Sequence, residues 1–179
     1  MKAYLSAPDV FMRNESEIGK EKKEICRFYG IEAQFPSDNL DLDYVFSQKS
    51  LHASQLMYKG NIELIKNSDI VFANISPFRG WSMDCGVAHE IGYFDALEKP
   101  IFIYANTNLS MTDRVGVDEN GYCNNGYVVE DFKDVENLMI MRAATLPLFY
   151  SDNSNQDDLS AIDSFKLAVK QVSKMYNLK

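Results

Sequence analysis

The stretch from residue 69 to residue 104, DIVFANISPFRGWSMDCGVAHEIGYFDALEKPIFIY, constrains this chain more than any other. Residues 69–75 form an apolar run of the length of a buried strand, and Pro77 and Gly80 then mark a turn-rich loop. A helix is predicted over about residues 84–97, followed by a second buried strand over residues 100–104. Strand, helix and strand in that order make a βαβ unit with parallel strands. In open α/β sheets, ligands bind outside the carboxyl ends of such strands, where the loop and the start of the helix meet.

Carboxylates fall at that edge. Asp84 stands where an N-cap belongs, because a short acceptor there satisfies free backbone donors of the first turn. Glu90 lies one to two turns further on, with Gly86, Ala88 and Gly92 leaving room beside it and Val87, Ile91 and Phe94 placing it close to an apolar face. Two readings stand side by side: Asp84 as a simple cap and Glu90 as a surface residue, or both as the acids of a site.

The remaining chain alternates in the same manner. Residues 2–7 suit a first strand ending at Pro8, with Tyr4 and Ser6 approaching the site edge; Tyr4 is then either a core aromatic or a residue that orients a carboxylate. Residues 14–29 place Ile18, Ile25 and Phe28 on one helical face, Gly30 stops that helix, and residues 31–35 make the second strand. Residues 40–58 are polar and are expected to form a loop with a short helix over the site. A helix over residues 57–67, with Asn61 near its amino end, leads into the strand at Asp69. Residues 105–127 are rich in Asn, Gly and Asp and read as a long loop, a feature that is often functional. A helical pattern resumes over residues 128–142 and contains Asn137 and Met139. Residues 146–150 read as a fifth strand, kept to the edge by Pro147. A last amphipathic helix carries Ile162, Phe165, Val169, Val172 and Met175, with Asp157 or Asp158 as its cap. The expectation is a single α/β domain over residues 1–179, doubly wound, with a mainly parallel five-stranded sheet and helices on both faces, in the flavodoxin or Rossmann manner. A chain of 179 residues that is 46% hydrophobic can bury the core such a fold needs.

Charge and rare residues exclude several functions. A net charge of −8 with no basic stripe argues against nucleic acid as a partner. Cys26, Cys85 and Cys123 are odd in number and widely spaced, which suits reduced thiols in a cytoplasm rather than a disulfide framework or a thiolate metal site. No run is long enough for a signal peptide or a membrane span. With only His52 and His89, a catalytic zinc site or a Ser-His-Asp arrangement has few candidates, and His89 points about 100° away from its neighbour Glu90 on a helix.

The run NISPFRGWSMDCGVAHEIGYFDALEKPIFIY, with YLSAP upstream and VEDFKDVENLMI downstream, resembles the nucleoside 2-deoxyribosyltransferase family. The likeness spans most of residues 2–140, and its specific part is PFRG, then Asp84, then Glu90 within HEIGY, then the lysine-proline pair before the next strand. The resemblance implies transfer of a 2-deoxyribosyl group between purine or pyrimidine bases, with no metal and no organic cofactor. Glu90 matches the nucleophile that attacks the anomeric carbon and holds the sugar as a covalent glycosyl-enzyme, and is expected to be ionised at neutral pH while it attacks. Asp84 matches the acid near the sugar hydroxyls, and Tyr4 the strand-end tyrosine that steadies the nucleophile.

Asn137 and Met139 match an asparagine-leucine-methionine run that enters a neighbouring subunit's site, so the resemblance implies self-association as a dimer or hexamer. For Met139, plain helix packing is the alternative. Asn61 departs from the family members that have an aspartate there to protonate the leaving base; an amide hydrogen-bonds a base edge but carries no titratable proton. Asp69 is a substitute by residue type, or else a structural residue at a strand start. In the loop Phe78, Arg79, Gly80 and Trp81, all taken as substrate-binding, Arg79 and Trp81 either frame the base or form the rim. Two other functions share the fold: a 2′-deoxynucleoside 5′-monophosphate N-glycosidase, in which water replaces the acceptor base, and a non-catalytic nucleoside-binding module. Against the first stands SAPDVFMR after the first strand, where Pro8 removes a backbone donor and Asp9 adds a charge that repels phosphate.

Overall fold

Four short strands, β1 (Lys2–Ser6), β2 (Glu32–Gln34), β3 (Ile70–Asn74) and β4 (Ile101–Tyr104), pair in parallel in the order β2-β1-β3-β4 in the computed structural model, which describes residues 1–39 and 47–179. This is a doubly wound sheet, and its strand order reverses between β1 and β3. The α-helices include α1 (Glu15–Phe28), α2 (Leu51–Asn67), α3 (Cys85–Ala96), α4 (Met111–Val115), α5 (Leu138–Ala143) and α6 (Ile162–Met175), with short 3-10 turns at Pro8–Phe11 and Pro36–Asn39.

Alternation along the strands divides the core into two layers. Successive side chains point to opposite faces, so Ala3, Leu5, Ile70, Phe72 and Phe102 meet Cys26 of α1 and Phe165, Ala168 and Val172 of α6. Tyr4, Val71, Ala73, Ile101 and Ile103 point the other way, to Leu64 and Ile65 of α2 and Val87, Ile91 and Phe94 of α3. The βαβ unit closes as its residues dictate. Lys99 donates to the carbonyls of Ile65, Lys66 and Ser68 at 3.1, 2.7 and 2.7 Å, which places a cation on the carboxyl end of α2 just before Pro100 leads into β4.

A buried ion pair lies under the turn after β1. Lys22 of α1 donates to Asp9 at 2.5 Å and to the Tyr104 hydroxyl at 2.9 Å, and all three residues are shielded from water. Burial raises the Asp9 pKa against the opposing pull of Lys22. The Asp9 charge is therefore spent on Lys22 in the interior, not presented to a ligand as expected from SAPDVFMR.

Several expected elements differ. The fifth strand is replaced by one parallel bridge, Tyr104 to Phe149: the Thr145 and Phe149 N–H groups do reach the Ile101 and Ile103 carbonyls, but Pro147 between them has no donor to continue a ladder. The helix expected over residues 128–142 shrinks to α5, because Lys133 adopts a left-handed φ of 60° that no helix interior admits. The last helix starts from Ala161, with φ 48° and no side-chain cap, while Asp158 instead binds the backbone and hydroxyl of Ser160. Of residues 40–58, residues 40–46 lie outside the described residues, and the remainder leads into α2, whose early start puts Asn61 in mid-helix. The long loop after β4 holds α4.

Candidate active site

Tyr4 and Ser6 are two residues apart on β1, so both side chains emerge on the α3 side of the sheet. Glu90 occupies the facing side of α3, three residues after the buried Val87 and four before the buried Phe94. The Tyr4 hydroxyl donates to Glu90 Oε1 at 2.7 Å and the Ser6 hydroxyl to Oε2 at 2.5 Å. Each carboxylate oxygen thus has its own donor.

Burial pushes the Glu90 pKa up to about 7, opposed by the Ser6 and Tyr4 hydrogen bonds and reinforced by the charge of Asp84. Glu90 is thus held near its midpoint at neutral pH in the free protein, where the ionised form needed for attack is populated. Tyr4 is also buried; burial and the adjacent Glu90 hold its phenol well above the ordinary value, so it remains a donor.

Asp84 is the N-cap of α3. Its Oδ2 accepts from the Gly86 and Val87 N–H groups at 3.0 and 3.2 Å. A Cβ at Gly86 would stand 2.8 Å from Asp84 Oδ2, so a side chain there would make the capping carboxylate shift. Neither cap bond uses Oδ1.

Asp84 and Glu90 border one cleft of about 120 Å³ at the carboxyl end of β1. Ala7, Val10 and Phe11 form one wall, and Met57 and Asn61 of α2 form another. No cation is among the described residues that line it. A larger hollow of about 410 Å³ lies around Lys23, Arg27 and the start of β2, but it has neither paired acids nor a carboxyl strand edge.

The other expected site residues divide. Phe78 stacks on Phe11 at 5.4 Å, and the Arg79 guanidinium lies 4.5 Å from the Phe78 ring and 4.6 Å from the Phe11 ring, so both reach the rim of the cleft through Phe11. Gly80 and Trp81 are exposed in the loop, and Trp81 borders a separate groove with Asn137. Asn137 caps α5 by accepting from the Met139 N–H, and Met139 is 70% exposed. Asp69 lies at the amino end of β3, where it accepts the Lys2 N–H at 2.7 Å, on the edge of the sheet opposite Glu90. The structure brings Tyr4, Asn61, Asp84 and Glu90 together and leaves Asp69, Trp81, Asn137 and Met139 outside this cleft. Ser6 as a donor to Glu90 was not expected, although its period-two spacing from Tyr4 was the available signal. Among the described residues no group of three or more His, Cys, Asp or Glu is placed to hold a metal ion.

The sequence from residue 3 to residue 139 matches the family model described as nucleoside 2-deoxyribosyltransferase. The chain belongs to the nucleoside 2-deoxyribosyltransferase family. As a member it is an enzyme whose substrate class is nucleosides and nucleobases. All the cleft residues named above fall within the matched region. Among solved structures, a 2-deoxyribosyltransferase from Leishmania mexicana is similar with a TM-score of 0.66 and 23% identity, over 93% of this chain and 97% of that one. A 2-deoxyribosyltransferase from Bacillus psychrosaccharolyticus is similar with a TM-score of 0.54 and 21% identity, over 89% and 90% of the two chains. At these identities the likeness concerns the fold. A search of curated protein sequences finds no significant match. No helix among the described residues is long and apolar enough to cross a membrane.

Proposed function

We propose that this deoxyribosyltransferase moves a 2-deoxyribosyl group between bases through a covalent bond from Glu90 to the anomeric carbon. The observation that carries the reading is Glu90 itself, gripped by Tyr4 and Ser6 beside Asp84 at the carboxyl edge of the sheet. In the first step an ionised Glu90 oxygen attacks the anomeric carbon, the bond to the base nitrogen breaks, and its electron pair leaves with the base. In the second, a nitrogen of the incoming base attacks the same carbon, Glu90 departs as a carboxylate, and the proton that this nitrogen gives up balances the one taken up by the base that left. Two displacements retain the configuration of the sugar.

Each neighbour has a task in this scheme. The Tyr4 and Ser6 hydroxyls hold the carboxylate in one orientation, which lowers the entropy cost of attack. Asp84, with Oδ1 outside the cap, accepts from a sugar hydroxyl. Asn61 meets an edge of the base, and Phe11, with Phe78 and Arg79 behind it, supplies an apolar wall for the ring. The entire chain acts as one domain in the cytoplasm, and its thiols Cys26, Cys85 and Cys123 are free.

Asn137 and Met139 act in a neighbouring subunit, so the active form is at least a dimer. Both lie outside their own chain's cleft, and Asn137 shares a separate groove with the exposed apolar side chains of Trp81 and Val128.

Incubation of deoxyinosine with adenine, followed by chromatography, tests the reading. Deoxyadenosine is the expected product, and Glu90→Ala should abolish it with the fold intact. Free deoxyribose without a new nucleoside identifies a hydrolase, and an unchanged mixture identifies a binding module.

A further inference from the structure

Glu136 is a buried carboxylate, 4% exposed, on the segment that precedes α5. It does not border the cleft, yet its two oxygens serve two separate parts of the chain. Oε2 accepts the Met83 N–H at 2.8 Å, and Oε1 accepts the Asn137 N–H at 3.0 Å. Met83 immediately precedes Asp84.

A buried carboxylate needs a countercharge. Arg114 of α4 is the cation whose charge Glu136 influences, without a direct ion pair between them, and its guanidinium donates to the carbonyls of Trp81 and Val135. The loop that delivers Asp84 is thus tied at residues 81 and 83 to a second segment at residues 135 and 136, with Glu136 and Arg114 as the ties. The cap bonds of Asp84 fix its side chain relative to α3; the Glu136 bond fixes the backbone from which that side chain departs.

The geometry points to Glu136 as a positioning residue that, by bonding the Met83 and Asn137 amides at once, sets where Asp84 stands relative to Glu90. This rests on the reading of Asp84 and Glu90 as the reacting acids. Glutamine cannot replace it, because an amide has one acceptor oxygen and turns an NH₂ group toward the second N–H donor. Aspartate keeps the charge beside Arg114 but is one methylene too short to reach both amides.

Steady-state kinetics of Glu136→Gln across pH provide the test, with Asp84→Asn as reference. Glu90 is faced by Tyr4 from β1 and by Asp84 from the start of α3, and the Asp84 charge raises its pKa. Asp84→Asn should therefore move the acid limb of the kcat/KM profile to lower pH. Glu136→Gln should move it in the same direction by less, with kcat/KM reduced about tenfold or more, since small displacements at reacting groups have effects of that size. Should Glu136→Gln fail to fold, Glu136→Asp is measured in its place, with the same expectation. A folded variant of either kind with lowered thermal stability but unchanged kcat/KM and an unmoved limb overturns the inference. Failure of the underlying reading is separate: transfer activity that survives in Glu90→Gln removes Glu90 whatever Glu136 does.

Discussion

The Tyr4 hydroxyl and the Glu90 carboxylate meet at 2.7 Å across 86 residues of chain. A hydrogen bond to an ionised acceptor is worth about 1.5–3 kcal/mol, and this one opposes the rise that burial imposes on Glu90. Tyr4→Phe should lower kcat/KM by roughly 10- to 100-fold and shift the acid limb of the profile to higher pH, because the ionised form loses a donor. A pH–rate profile of the folded variant checks both. An unmoved limb would mean that Tyr4 does not support the reacting form.

The raised pKa of Glu90 makes a paired prediction for activity and stability. The attacking form is ionised, so kcat/KM should rise with pH through about 7. In the unfolded chain a glutamate ionises near about 4.3. Between that value and about 7 the folded protein holds a proton that the unfolded chain has released. Ionising Glu90 therefore opposes folding, by nothing at pH 4 and in full above pH 7. Glu90→Gln removes that penalty and should stabilise the protein at pH 8 by up to about 3 kcal/mol, with little change near pH 4. Thermal melts at the two pH values decide the matter; equal effects at both would place Glu90 in water.

How much of this could be read from sequence depended on chain separation. The βαβ unit was legible because its determinants are local: an apolar run, a cap acid two residues before a glycine, and a lysine-proline pair ahead of the next strand. The pairing of Tyr4 with Glu90 came from family likeness rather than from spacing, and the Ser6 donor followed only once β1 and α3 were seen face to face. Residues 128–137 misled because their mixed pattern resembles a helix, while Lys133 turns left-handed and Glu130 and Glu136 are engaged with backbone amides elsewhere. Asp9 misled for the same reason. A charge beside a candidate site reads as part of that site until its partner, 13 residues on, is found in the core.

That partner predicts a large stability effect. Lys22 and Asp9 are both wholly buried, so removing one leaves the other charged and uncompensated. Lys22→Met should cost about 3–5 kcal/mol, the size expected for breaking a buried pair. Replacing both, as in Asp9→Leu with Lys22→Met, should recover most of it, because apolar side chains need no countercharge. Urea unfolding at pH 7 measures each. A single variant as stable as the parent would show that water reaches the pair.

Shared sites make a prediction that no single-chain explanation reproduces. Glu90→Ala lacks the nucleophile and Asn137→Ala lacks the residue assigned to the neighbour's cleft, so each alone should be nearly inactive. In a dimer containing one chain of each kind, one cleft combines both lesions. The other pairs an intact Glu90 with an intact Asn137. Random association of equal amounts makes half of the dimers mixed, so coexpression should restore about a quarter of parental activity. If Asn137 instead served the cleft of its own chain, every cleft in the mixture would carry one lesion and no activity would return. The Asn137 side chain accepts the Met139 N–H and donates to Glu130 in its own chain, so Asn137→Ser, which keeps a capping acceptor without setting a second carboxylate against Glu130, should leave α5 in place while the neighbour loses the amide. Loss of activity in that variant alone, at unchanged thermal stability and regained on coexpression with Glu90→Ala, would assign the effect to the shared cleft and not to a frayed helix.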